Sequence, residues 1–319
     1  MQRSNSDSCY NLIVLAGPTG IGKTKISLGL AEKLGGEIVS MDSVQVYRYM
    51  DIGTAKPGAR EKKEVAHHLI DIVDPDDTYN TGRFIRDASK AIEDITGRGR
   101  LPLLVGGTGL YMKGLLEGIT PIPRIPEEIR EKIKKQLKDL GNEELYRRLQ
   151  EIDPVTADRI SINDSQRLTR ALEIFETSGR PWSDFLAENE NDMDQEEKKY
   201  NPFKICLNCA REILYDRINR RTYRMIEKGL IQEVEGLLAM GYGPDLPALQ
   251  SIGYQHMINY LEGIWDKDEA IDLMARDTRR YAKRQLTWFS RDPDIHWFRP
   301  KDKRSLLEAA RSWLKKQVV

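Results

Sequence analysis

Short, almost wholly apolar runs recur along this chain, separated by longer stretches in which apolar residues return every three or four positions. Five runs, at residues 12–16, 37–40, 69–73, 101–105 and 203–207, have the length and texture of strands buried on both faces. They alternate with helical patterns, which predicts a doubly wound parallel α/β sheet. From Pro121 the texture changes. Pro121, Pro123 and Pro126 punctuate a linker, after which residues 127–140, 142–152 and 164–177 predict charge-rich helices. Residues 184–197 are strongly acidic without periodic apolar positions, and are expected to form a surface loop or return linker. Beyond the run at 203–207, helices are predicted at 213–228 and 268–288, then a short strand at 296–298 and a closing helix at 305–314. The expected organisation is a discontinuous core, residues 1–120 and 200–319, interrupted by a helical insertion at 121–199 and ending in a helical region. There is no internal repeat.

The first run leads directly into Gly17-Pro18-Thr19-Gly20-Ile21-Gly22-Lys23-Thr24, which opens an amphipathic segment. This is the strand–loop–helix context of a P-loop. Glycines let successive backbone N–H groups turn inward on an anion, the helix N-terminus adds partial positive charge, and Lys23 adds a full one. Thr24 can hold Mg²⁺ through its hydroxyl. The fold class therefore sharpens to a P-loop NTPase-like α/β sheet, and the loop implies a phosphate chain as ligand.

A P-loop nucleotidase usually carries a second apolar strand ending in Asp. Here the run at 101–105 ends in Gly106-Gly107-Thr108-Gly109, and the carboxylate stands after the run at 37–40, as Asp42. Loops at the carboxyl ends of neighbouring parallel strands meet over one crevice, so Asp42, Thr108 and the P-loop are expected to converge.

The chain resembles the bacterial tRNA dimethylallyltransferases, or tRNA isopentenyltransferases, along nearly its whole length. The resemblance rests on residues 17–24, Asp42-Ser43-Val44-Gln45-Val46-Tyr47-Arg48, residues 51–57, His67-His68-Leu69-Ile70-Asp71 and Gly106-Gly107-Thr108-Gly109-Leu110-Tyr111. It continues through Arg167-Leu168-Thr169-Arg170-Ala171-Leu172-Glu173, Gly253-Tyr254 and residues 283–289. Gly20 departs from the Ala common in that family. The resemblance implies transfer of a dimethylallyl group from dimethylallyl diphosphate to the exocyclic amine of the adenosine just 3′ of the anticodon. It further implies an insertion that clamps the anticodon stem-loop. In that chemistry Asp42 takes the amine proton, Thr108 holds the amine or orients Asp42, and the P-loop residues with Lys23, Mg²⁺ on Thr24 and an arginine meet the leaving diphosphate. Arg217 is the first choice for that arginine, with Arg221 one helical turn away as the reserve. RNA contacts are implied from Asp42, Ser43, Val44 and Gln45, from Gln166, Arg167, Leu168, Thr169 and Arg170, around Gly253 and Tyr254, and from Lys283, Arg284 and Gln285. Tyr254 is the aromatic residue singled out to stack on an unpaired base.

Among 319 residues, Lys plus Arg and Asp plus Glu both total 50. A net charge of zero gives no global pull on RNA, so phosphate contacts have to come from local clusters. Two candidates are Arg276, Arg279, Arg280, Lys283, Arg284 and Arg291, and Arg217, Arg220, Arg221 and Arg224. No apolar stretch approaches a membrane span, residues 1–10 lack a signal-peptide core, and three cysteines suit a reducing compartment. A cytoplasmic, monomeric enzyme is expected. Cys206 and Cys209 have half-site zinc spacing without a second pair. A P-loop kinase with Asp42 accepting a hydroxyl proton, and a non-catalytic RNA-binding module with a vestigial phosphate loop, are the rival readings.

Overall fold

A computed structural model describes residues 9–193 and 199–317. The chain divides into two compact units, Met1–Leu116 with Lys198–Val319, and Glu117–Glu197. In chain order the elements are β1 (Tyr10–Ala16), α1 (Lys23–Leu34), β2 (Gly36–Met41), α2 (Ala59–Glu64), β3 (His67–His68), α3 (Thr81–Gly97), β4 (Leu101–Gly106) and α4 (Gly109–Glu117). The second unit holds α5 (Glu127–Ile152), α6 (Pro154–Arg159), α7 (Ser165–Ser178) and α8 (Trp182–Met193). The first unit resumes with β5 (Tyr200–Leu207), α9 (Arg211–Glu227), α10 (Leu230–Ala239), α11 (Tyr254–Leu261), α12 (Lys267–Phe289), β6 (His296–Phe298) and α13 (Lys303–Lys316).

The first unit is a doubly wound sheet of order β3-β2-β4-β1-β5-β6, parallel throughout. Its two-faced burial follows from the strand period. In β1, Leu12, Val14 and Ala16 face one layer with Phe84, Ala88, Ile92 and Ile95 of α3, while Ile13 and Leu15 face the other with Ile26 and Leu30 of α1 and Leu306 and Ala310 of α13. Each large apolar side chain so buried contributes about 1.5–3 kcal/mol. Because β1 is central, with β4 on one edge and β5 on the other, the loop that follows it opens at the middle of the sheet's carboxyl edge.

The amino end of β2 is fastened differently. Glu37 is buried, accepts two hydrogen bonds from Arg98 at 2.5 and 2.9 Å, and lies 2.8 Å from His68 Nε2. The hydrogen bonds from Arg98, followed by the His68 contact, overcome the effect of burial and hold the carboxyl down at about 2.

Two sequence expectations are corrected. Residues 69–73 are not a strand: Leu69 and Asp71 have φ of 62° and 58°, which breaks an extended run, and only Val73 forms an isolated bridge, to Tyr47. The strand beside β2 is the preceding pair, His67–His68. The acidic stretch is also different, since its residues 184–193 belong to helix α8, while 194–197 lie outside the described residues. Asp184 in the first turn suits the helix dipole, and the Ser183 N–H donates to Asp153 at 3.0 Å.

The second unit has its own core of Ile133, Leu145, Leu149, Ala157, Leu168, Ala171 and Leu172. Gly141, at φ 76° and ψ 176°, splits α5 into two helical segments, so that each side packs separately. Asp164 caps α7 by accepting from Arg167 N at 3.1 Å. Glu176 joins Lys132 at 2.7 Å and pairs with Arg148, tying α7 to both halves of α5.

Candidate active site

The phosphate loop is built by backbone conformations that favour glycine. Gly17, Gly20 and Gly22 have φ of 149°, 80° and 98°, and a Cβ on Gly20 would stand 2.9 Å from Ile218 Cγ1 of α9. Lys23, the first residue of α1, folds back over the loop and donates to the carbonyls of Gly17 at 2.8 Å and Pro18 at 3.0 Å. Burial lowers its ammonium pKa to about 8, with Asp42 opposing that shift and Arg221 adding to it. The Thr24 side chain is exposed at the mouth of the loop and makes no hydrogen bond to the described residues.

Asp42 follows β2. Its Oδ1 accepts from the N–H groups of Val44 at 3.0 Å and Gln45 at 3.2 Å, an arrangement that fixes the carboxylate while leaving Oδ2 free among the described residues. Thr108, after β4, accepts from Ser43 N at 3.2 Å through Oγ1 and donates its own N–H to Met41 O at 3.4 Å. The expected convergence of Asp42 and Thr108 is thus a direct hydrogen-bonded contact between their turns.

A cavity of about 320 Å³ opens beside Asp42. Its walls come from single helix faces: Ile218, Arg221, Thr222 and Met225 of α9, and Met274, Thr278, Tyr281 and Arg284 of α12. Val44 and Ile252 add further apolar surface, while Thr19 brings the phosphate loop to its edge. Arg221 lines this cavity, its pKa lowered by burial while Asp42 pulls it up. Arg217 lies one turn nearer the start of α9. It donates to Ile21 O at 3.1 Å and lines a second cavity, of about 760 Å³, with Cys209 and Trp297 at the ends of β5 and β6. Of the two arginines, Arg221 shares the cavity of Asp42, while Arg217 bonds the phosphate loop itself.

Several residues expected at an RNA surface are interior. Tyr254 is fully buried, its hydroxyl 2.5 Å from Glu233 Oε1 and its ring against Gly53, and it borders the cavity of Asp42. Gly253 is buried with it, and Leu168 belongs to the core of the second unit. Gln285 spends both ends of its amide on protein, accepting from Thr19 N and donating to Gly107 O, each at 2.9 Å. Gln45 does likewise with Ser40 and Thr54. Gln166, Arg167, Lys283 and Arg284 are exposed or partly so, and Thr169 and Arg170 are half-buried. Arg167 and Arg170 are paired with Asp164 and Glu173.

Sequence reasoning missed Glu233 of α10, whose carboxylate accepts from the N–H groups of Asp51, Ile52 and Gly53 at 2.8–3.1 Å as well as from Tyr254. It also missed Met225 and Met274. Helical spacing from Arg221 and Tyr281 was the available signal for those two.

Fold and site together define an α/β enzyme in which a phosphate loop and a fixed carboxylate meet at a cavity with an apolar wall, the layout for breaking a bond to a phosphate leaving group beside a proton acceptor. The family model described as IPP transferase matches residues 45–292, and one described as isopentenyl transferase matches residues 10–72. A tRNA dimethylallyltransferase of Desulfotalea psychrophila is 48% identical over 307 residues, covering 96% of each chain. A full-length tRNA isopentenylpyrophosphate transferase structure from Bacillus halodurans superposes with TM-score 0.72 at 40% identity, covering 97% of this chain and 98% of that one. A eukaryotic dimethylallyltransferase described as acting on tRNA gives TM-score 0.78 at 26% identity, with 96% of this chain and 80% of that one covered. The chain belongs to the IPP transferase family and is an enzyme of that group.

Proposed function

We propose that this enzyme transfers a dimethylallyl group from dimethylallyl diphosphate to the exocyclic amine of the adenosine 3′-adjacent to the anticodon in tRNA, releasing diphosphate. The observation that carries the reading is the shared cavity, which Asp42, Arg221 and Thr19 of the phosphate loop line together with the apolar side chains of Val44, Ile218, Met225, Ile252 and Met274. The allylic carbon needs an apolar wall, the diphosphate needs cations, and the amine needs a proton acceptor.

The amine nitrogen forms a bond to the allylic C1 as the C1–O bond breaks, with the electron pair leaving on diphosphate. An aromatic exocyclic amine is a weak nucleophile because its lone pair is delocalised, so removing its proton as the bond forms lowers the barrier. Asp42 Oδ2 faces that task while Oδ1 stays anchored to two backbone N–H groups. Thr108 holds the Asp42 turn through Ser43. On the donor side, Gly17, Pro18, Thr19, Gly20, Ile21, Gly22, Lys23 and Thr24 cradle the diphosphate, with Arg221 completing the cationic wall and Arg217 bracing the loop from outside.

Mg²⁺ fits this loop. A free, exposed hydroxyl on Thr24 is the single protein ligand that a diphosphate-bound magnesium ion needs, because the ion fills most of its sphere with phosphate oxygens and water. When bound, it neutralises charge on the diphosphate.

The adenine leaves its stack to reach the cavity, at a cost of a few kcal/mol. Exposed Lys283, Arg284, Arg167 and Gln166, with Ser43, Thr169 and Arg170, supply contacts to the anticodon stem-loop, and the helical insertion serves RNA binding. No described helix is long and apolar enough to cross a membrane. The enzyme works in the cytoplasm as a monomer.

Incubation with radiolabelled dimethylallyl diphosphate and unmodified tRNA tests the reading. Label is expected in the RNA, at one adenosine. Turnover of nucleoside triphosphate without transfer of label would instead mark a kinase. Asp42→Asn is expected to keep tRNA affinity within about twofold and lower turnover by about 10²–10⁴, the range of a lost general base.

A further inference from the structure

The phosphate loop and the carboxylate turn are separate pieces of chain, following β1 and β2, yet the reaction needs them at a set distance. One side chain ties the phosphate loop to the loop after β4, which in turn touches the carboxylate turn. Gln285 on α12 is buried, and its Oε1 accepts from Thr19 N while its Nε2 donates to Gly107 O, both at 2.9 Å. Gly107 continues into Thr108, which accepts from Ser43 N beside Asp42. The path from donor loop to acceptor carboxylate is therefore Thr19, Gln285, Gly107, Thr108, Ser43.

The chemistry of this position admits few residues. One partner is a donor and the other an acceptor, so the bridging group has to accept and donate at fixed spacing, which a carboxamide does and a carboxylate or ammonium does not. The partners also fix which end is oxygen. The fit is close: a Cβ on Gly107 would lie 2.1 Å from Gln285 Nε2, and a Cβ on Gly109 would lie 2.2 Å from Trp288 Cδ1, so the loop after β4 lies flat against this stretch of α12.

We propose that Gln285 is a positioning residue that sets the spacing between the diphosphate-binding loop and the Asp42 carboxylate, and not an RNA contact. By holding the Thr19 N–H it fixes the shape of the phosphate loop before a ligand arrives; by holding Gly107 it fixes Thr108 and, through Ser43, the turn of Asp42. The proposal rests on the prenyl-transfer reading for its consequence, but its test does not.

Inorganic diphosphate and amide hydrogen exchange are used, without prenyl donor or RNA. In the unmodified protein the Thr19 amide is expected to be protected from exchange before any ligand is added; free exchange there would overturn the proposal without any variant. In Gln285→Met, exchange should rise in both residues 17–24 and 106–109. Diphosphate should bind on the order of tenfold more weakly, the effect of one missing buried hydrogen bond, while tRNA affinity stays within about twofold. The reverse pattern, weakened tRNA binding with diphosphate affinity and exchange unchanged, would make Gln285 an RNA contact. Failure of prenyl transfer in the unmodified enzyme, with these binding and exchange results intact, would sink the functional reading and leave the bridge standing.

Discussion

Lys23 carries the sharpest consequence at the scale of single residues. Its folded pKa is lowered to about 8 from the ordinary 10.5, so the folded protein sheds this proton before the unfolded chain does. Stability therefore rises with pH between about 8 and 10.5, and below that window a buried positive charge persists that a bound diphosphate offsets. Donor affinity should fall as pH rises above about 8, and diphosphate binding near that pH should take up a proton. Calorimetry in buffers of different ionisation enthalpy reads both. The two arginines of α9 separate in the same way. Arg221→Ala should lower turnover at least about tenfold more than Arg217→Ala, because only Arg221 shares the cavity of Asp42; single-turnover transfer assays make the comparison. The neighbourhood of Asp42, Lys23 and Thr108 was legible in the sequence because each belongs to a short local motif at the carboxyl end of a strand. The bridge made by Gln285 was not legible, because its partners, Thr19 and Gly107, lie 266 and 178 residues away. A side chain's role depends on what the fold brings to it, and an exposed polar residue and a buried bridging one look alike in the chain.

Elements were read better than side chains. The apolar runs that became β1, β2, β4 and β5 are buried on both faces, so composition alone marked them, and the prolines and charged helical periodicity marked where the core breaks off. The run at 69–73 failed for a definite reason: positive φ at Leu69 and Asp71 leaves no trace in hydrophobicity. Asp71 is held there by Lys56 at 2.6 Å and Lys62 at 2.7 Å, pairings that periodicity does not encode. At β2, Glu37 offers a test of stability apart from catalysis, since it stands at the strand's amino end, opposite the site. Its carboxyl is depressed to about 2 from 4.5, so its contribution is fully present above pH 4.5 and lost as pH falls toward 2. Glu37→Gln should cost about 1–3 kcal/mol at pH 7 and progressively less below about pH 4, with the activity per folded molecule unchanged. Urea titrations at several pH values check the sign.

For the whole molecule, neutrality is an average over faces. Lys283 and Arg284 are exposed and form no ion pair among the described residues, whereas Arg276 and Arg280 are both engaged by Asp277. Replacing Lys283 and Arg284 by Ala should flatten the slope of log tRNA affinity against log salt by about 1–2, roughly one unit for each phosphate that is no longer neutralised. An unchanged slope would assign them to folding alone. The hydrogen-bonded links between distant loops left no mark in the sequence.

The pairing of β1 with β5 reaches beyond the finished enzyme to its synthesis. During translation β1 emerges early and finds β4 within the first unit's opening stretch, yet its other edge has no mate until residues 200–207 leave the ribosome. The whole insertion is made in between. For that interval β1 lacks its second neighbour, leaving an open, apolar strand edge of the kind that invites intermolecular pairing.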